Sequence, residues 1–434
     1  MNTLTFRRAI LIGLAAVLAV AIMLPAEASF AGVKKYTSKG NALQPYHPKN
    51  YKPVSNKKLK PLKVKNYHYY SSGVVDMPHL LGTKKGNKKI ELQTLFHLPK
   101  TWSAGNRYLD LGNPQSISVT PDGNTAYVTH SDGKKGYIVR YNFKKLRELG
   151  LNIPGNMGGL RAPWRYDEDT TADMEKEIRS CVKVGPKFKM GHGAAFAYNP
   201  KDKCLWFCVK TKYRKTDLWR VNMKTLKPDL CINYTFDKKI SFGNNMTFDK
   251  NGKLYQFQYA SSNQWSCPKD AVKIYQGTIN LKAKKKVKFK LMMNVIKYPV
   301  AADHGLQSAG YDYKNHRIYI VSNSAIMSVP VKKLQKNKVT GKDVWMTQFN
   351  VNREFEGFQV DKNGNYYLLV NKYPEVMTQQ DLERYQLKKS DFDKYGEYIY
   401  PEEDEEDQGY DDDPDYYEDP ENYDDTEYDQ DPEY

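Results

Sequence analysis

The side chains able to do chemistry are few and scattered. Glu354 and Glu356 stand two apart in Glu-Phe-Glu-Gly-Phe-Gln-Val-Asp, so on an extended strand both face one side. Glycoside hydrolysis needs two or three convergent carboxylates, one with a raised pKa. Asp303, just before His304, could supply a third from another part of the chain. Asp303 and His304 also suggest two members of a nucleophile triad, but no Gly-x-Ser-x-Gly elbow accompanies them. The Asp-Lys-Asn-Gly runs at Asp249 and Asp361 begin like a calcium loop. They put lysine second and lack the later glutamate, so they read as turns.

Cys181, Cys204, Cys208, Cys231 and Cys267 fit neither a zinc pattern nor a disulfide scaffold. On one strand Cys204 and Cys208 would stand about 13 Å apart, too far to bridge each other. Bridges to the other three and buried thiols both suit this spacing. These residues therefore predict binding rather than catalysis, with no catalytic residue, no metal and no cofactor.

Elements must position whatever binds, and one short unit recurs. Gln115–Val128, Ala194–Phe207, Asn244–Phe257, Gln307–Ile320 and Glu356–Leu369 each read as strand, tight turn, strand. Their turns begin at Thr120, Asn199, Asp249, Asp312 and Asp361, where Asp, Asn, Pro and Gly supply the special backbone angles. The intervals suit four-stranded propeller blades of roughly 40–50 residues. The expected fold is all-β: a single five-bladed β-propeller over 89–376, with the strand at Ile90–Leu98 completing the last blade. Asp167–Val182, inside the long first interval, predicts a helical insertion with Met174, Ile178 and Cys181 on its apolar face. Met377–Lys394 reads as helical with Thr378 as N-cap, giving a C-terminal helix over 377–398.

In a propeller the innermost strands line the channel, and ligands meet its mouth. The polar residues near the starts of the recurring units are the candidate ligand ring: Gln115, His192, Asn244, Asn245, His304, Gln307, Glu354 and Glu356. Polar side chains bonding one another in a narrow channel would produce the same pattern.

Residues 1–28 read as a signal peptide: Arg7 and Arg8, an apolar run Ala9–Leu24, then Ala26-Glu27-Ala28. Residues 29–88 form a basic Lys/Tyr/Pro-rich stretch without apolar periodicity, expected to be a solvated arm. The formal charge of +17 conceals two opposed regions. From Pro401 onward there are 19 acidic and no basic side chains, so 399–434 is expected to be a disordered tail. Residues 1–400 keep 31 acidic against 67 basic groups, a balance of +36. Such a body attracts anionic cell-wall polymer or acidic glycan, and the expected exported state argues against nucleic acid. No later segment is apolar enough to span a membrane.

His192-Gly-Ala-Ala-Phe-Ala, Gln307-Ser-Ala-Gly-Tyr-Asp and Glu356-Gly-Phe-Gln-Val-Asp resemble strand starts of helveticin-J-type proteins, within the secreted bacterial β-propellers. That resemblance implies an exported protein associated with killing related bacteria. The combined expectation is a monomeric, non-enzymatic extracellular protein of the cell envelope that binds a glycan or small ligand. Two rivals are a lytic or glycan-hydrolysing protein dependent on Glu356 and a protein-interaction scaffold.

Overall fold

The computed structural model describes residues 32–40, 52–55, 68, 76–104, 107–161, 172–212, 215–235, 245–259, 271–297 and 307–401. One compact unit runs to Tyr398; Ile399–Tyr434 forms a second, of which 399–401 are described. The signal-peptide residues 1–28, together with Asn244, Cys267, Asp303, His304 and all but the start of the acidic tail, lie outside the described residues.

The chain opens with β1 (Lys34–Lys39), β2 (Lys52–Ser55), β3 (Leu80–Leu81), β4 (Thr83–Gly86), β5 (Leu92–His97) and the hairpin β6 (Thr101–Ala104) and β7 (Arg107–Asp110). Four antiparallel sheets follow in order. The first comprises β8 (Asn113–Val119), β9 (Thr125–Ser131), β10 (Lys135–Asn142) and β11 (Val182–Val184), with β12 (Phe188–Lys189) also on β10. The second comprises β13 (Phe196–Asn199), β14 (Cys204–Lys212), β15 (Lys215–Asn222) and β16 (Lys227–Thr235). The third holds β17 (Thr247–Phe248), β18 (Leu254–Tyr259), β19 (Ala271–Ile279), β20 (Val287–Leu291) and β21 (Asn294–Lys297). The fourth holds β22 (Ser308–Asp312), β23 (Arg317–Ser322), β24 (Ala325–Pro330) and β25 (Trp345–Phe349). A last set, β26 (Phe355–Val360), β27 (Tyr366–Val370) and β28 (Glu375–Gln379), is completed by β5 and then β3. A single parallel bridge, Asp312 to Val360, joins this set to the fourth sheet.

The first strands of these sets touch in a closed cycle: β8 to β13, β17, β22, β26 and back to β8. Gly357 shows how near the last contact is, because a Cβ there would stand 2.9 Å from the Ile117 side chain on β8. Apolar layers fill the spaces between sets. Ile117 and Val128 pack with Tyr367 and Leu369, for example, and Tyr319 and Val321 pack with Phe355 and Phe358. These are the radial contacts of a β-propeller.

The recurring turns form for the reason their residues suggest. Asp361 Oδ1 accepts from the amides of Asn363, Gly364 and Asn365, and Asp249 Oδ1 from those of Asn251 and Lys253. Asp312 and Asn199 act alike, fixing each reversal with one short side chain.

Three expectations change. The basic stretch 29–88 is not wholly a solvated arm: β1 and β2 add in parallel to β16 and β21, while β4 pairs antiparallel with β25. The outer edges of the sheets offer unpaired main-chain groups, which extended segments satisfy while most of their lysines face water. The helix expected over 377–398 is replaced by β28 and short 3-10 turns at Glu383–Tyr385 and Lys389–Asp391. Val376 and Met377 enter different apolar layers, so burial on both faces overrides the helical spacing. In the insertion, α2 (Ala172–Ser180) follows α1 (Phe143–Glu148); Ile178 is buried, but Met174 is exposed. Cys181, Cys204, Cys208 and Cys231 are free thiols.

Candidate functional site

Gln115, Asn245, Gln307 and Glu356 stand at or near the starts of the first strands of four of the five sets. Their environments differ. Asn245 is buried and spent on structure, its Oδ1 accepting from Phe257 N and its Nδ2 donating to Phe257 O. Gln115 is buried with Oε1 unpartnered, and His192 is exposed in the turn before β13. Gln307 Nε2 donates to Asn323 Oδ1, which also accepts from Phe355 N. That relay links the fourth set to the start of β26, where both glutamates lie.

Glu354 and Glu356 do come together. Asn371, at the end of β27, donates through Nδ2 to Glu354 Oε2 at 3.1 Å and Glu356 Oε1 at 3.4 Å. One nitrogen contacting both puts those oxygens at most ~6.5 Å apart, short of the wide separation that leaves room for a bridging water. A bulge between Phe355 and Gly357 lifts Glu356 out of regular alternation. Glu356 is fully buried, and its Oε2 has no hydrogen-bond partner. Burial, then the neighbouring Glu354 charge, pushes its carboxyl well above the ordinary range, against the Asn371 bond and the Lys372 charge. Two carboxyl groups here share a site, which disfavours ionising both.

A second buried group lies where β28 meets β5. Glu375 Oε2 accepts from Thr94 Oγ1 at 2.5 Å and His79 Nδ1 at 3.1 Å, while Arg353 Nη2 makes an ionic contact with Oε1 at 2.9 Å. Burial alone would raise the Glu375 carboxyl; the His79 and Arg353 charges overcome it and hold it well below the usual range. His97 donates from Nε2 to Met77 O, leaving Nδ1 as an unpartnered lone pair, and burial lowers its pKa to about 3. His79, His97 and Glu375 place donor atoms within 4.8 Å of one another, a set that could ligate a metal ion. Arg353 already balances the Glu375 charge, and Arg161 adds a further positive field on His97. A divalent cation would enter against both, so the arrangement fits an internal ion cluster better than a metal centre.

A cleft of about 320 Å³ opens elsewhere, beside the Asp361–Asn365 turn, lined by Gln93, Arg147, Asn152, Asp381 and Arg384 among others. Arg147 is bonded to Tyr367 and Asn152 to Tyr385, and no side chain of the cleft holds an unpartnered buried atom among the described residues. Glu356, by contrast, keeps a buried oxygen without a hydrogen-bond partner.

No family model matches the sequence, and no curated protein does. Solved structures do, as β-propellers. A glucose dehydrogenase is 9% identical over 62% of this chain and 97% of its own, with a TM-score of 0.31. A gluconolactonase of Xanthomonas campestris is 11% identical over 73% and 89%, TM-score 0.32, and a streptogramin B lyase 11% over 72% and 96%, TM-score 0.31. The non-enzymatic expectation is corrected by this finding: the matched propellers include enzymes, so the architecture gives no ground for excluding catalysis. The comparisons give no support to the helveticin-J-type resemblance.

Asn371, Arg353 and Glu375 were not singled out from the sequence. Asn371 follows the residue paired with Phe355, so aligning β27 against β26 would have placed it beside the two glutamates.

Proposed function

We propose that the protein is an exported five-bladed propeller enzyme that hydrolyses a carbohydrate at the channel mouth, with Glu356 as the proton-holding group. The carrying observation is the Glu356 carboxyl: buried, with one oxygen unpartnered, and tied through Asn371 to the Glu354 carboxylate just before the strand. The five-blade count rests on five strand sets and the closed cycle of their first strands.

A carboxylic acid whose pKa is raised by burial can protonate a leaving sugar oxygen, then take a proton from the attacking water as its conjugate base. Glu354 supplies negative charge beside the cationic centre that develops on the sugar. Gln115 and Gln307 carry amides of the kind that pair with sugar hydroxyl groups. The strongly basic balance of residues 1–400 favours an anionic glycan or wall polymer as the substrate-bearing partner. Export rests on the n-region, apolar run and Ala26-Glu27-Ala28 of the first 28 residues.

Incubating the mature protein and Glu356→Gln with cell-wall glycans, and measuring reducing ends and clearing in a zymogram, tests the reading. Release by the parent and at least a hundred-fold loss in the variant is expected. Equal activity in both, or no release from any wall glycan, overturns it.

A further inference from the structure

The cleft beside the turn at 361–365 is built from segments far apart in the chain. Asn152 comes from the loop after α1, Gln93 from β5, and Gln380, Asp381, Arg384 and Tyr385 from the stretch that follows β28. Hydrogen bonds across the seams hold these walls in place. Asp381 N donates to Gln93 Oε1, Gln380 Nε2 to Leu92 O, and Asn152 Nδ2 to the Tyr385 hydroxyl. Asn365 is tied to its own turn, its Nδ2 donating to Asp361 Oδ2 at 2.8 Å.

Each of these amides spends one end on the fold and keeps the other. Asn152, Asn365 and Gln380 retain carbonyl oxygens as acceptors. Gln93, only 4% exposed, retains its Nε2 as a donor. Arg147 is occupied, Nη1 with Gly123 O and Nη2 with the Tyr367 hydroxyl. Arg384 lies over the Tyr385 ring, 5.6 Å from its centre. That ring apart, neither its guanidinium nor the Asp381 carboxylate has a partner among the described residues. The Tyr385 hydroxyl accepts from Asn152 and still has its proton to donate.

Donors and acceptors are thus mixed, with one unpaired charge of each sign. Hydroxyl groups both donate and accept, so a ring of them uses such a lining fully. A phosphate or carboxylate only accepts, and would set its oxygens against those of Asp381, Asn152, Asn365 and Gln380. An ammonium group only donates, and would face Arg384. The volume of about 320 Å³ is near the lower end for small-molecule sites, about 300–1,000 Å³. Glu356 stands at the other end of β26, five residues of extended chain from Asp361, or about 16 Å.

We propose that this cleft is a second carbohydrate site, binding a neutral sugar through Asp381, Arg384, Gln93 and the carbonyl ends of Asn152 and Asn365. It goes beyond hydrolysis at Glu356 and does not depend on it.

Calorimetric titration with cellobiose, lactose and chitobiose tests the assignment, with glycine and inorganic phosphate as zwitterionic and anionic probes. At least one disaccharide should bind saturably. Asp381→Asn and Arg384→Gln should each weaken it by about five-fold or more, yet melt with the parent because both side chains are exposed. Glu356→Gln should bind it as the parent does, whether or not any glycan is turned over. Amide hydrogen exchange should slow at 378–385 on saturation and stay unchanged at 354–360. No saturable disaccharide, tighter binding of glycine or phosphate, an affinity that survives both cleft variants, or exchange slowed at 354–360 instead would each overturn the proposal.

Discussion

Glu356 is expected to destabilise the fold at neutral pH. Its folded pKa is raised, so the unfolded chain gives up this proton first, and stability contributed by the group falls as pH rises above the ordinary carboxyl range. Glu356→Gln should therefore melt higher than the parent at pH 7.5, by on the order of 1 kcal/mol, with the gain shrinking toward pH 4. Thermal melts at both pH values check this. His97 has the opposite dependence. Its pKa falls to about 3 in the fold, so the unfolded chain takes the proton first as pH drops below 6.5. Stability should decline between pH 6.5 and about 3, and His97→Gln should flatten that slope in urea titrations. Neither residue's environment was readable from the chain alone. Glu356 was legible as one of two glutamates on a strand face, but its burial depends on a bulge and on Asn371, fifteen residues away.

At the scale of elements, the Arg353–Glu375 contact joins the approach to β26 with the start of β28, next to the strand β5 that completes the set. Both side chains are fully buried. Replacing Arg353 leaves the buried Glu375 charge with His79 and Thr94 alone, so Arg353→Met should cost about 3 kcal/mol, while Arg353→Met with Glu375→Leu should recover much of it. Chemical denaturation of the single and double variants measures the difference. The five turns were legible because Asp, Asn and Thr side chains bond to the main chain within a few residues, which is local information. The strand at β28 was not. Gln379, Gln380 and Asp381 favour a helix locally, and only the apolar layers on either side of Val376 and Met377 reverse that preference. Likewise nothing in the composition of Lys34–Lys39 announces a strand, because it pairs by main-chain groups with β16, almost two hundred residues later.

At the scale of the whole molecule, the apolar layers bind each set of strands to the next around a closed cycle. No set can lose its partner on one side without exposing a layer. The unit through Tyr398 should therefore unfold as one cooperative transition, with intrinsic fluorescence and far-ultraviolet dichroism coinciding; separated transitions would contradict the cycle. Charge also acts at this scale. The excess of basic groups should make retention on a wall polymer fall steeply with salt, and washing at 1 M salt, where screening reaches about 3 Å, measures it.

The pairing of β5 with β28 sets an order of events. β5 leaves the ribosome among the earliest strands, yet its partner lies about 280 residues further on. Until then Leu92, Leu95 and Phe96, which end up buried, have no sheet to join. A ribosome-bound chain halted after Val370 should hold this segment open to proteases, and only release of the remaining residues should protect it. The last strands to be made thus act as the latch for one of the first, and the long wait for it is where a chaperone would be needed most.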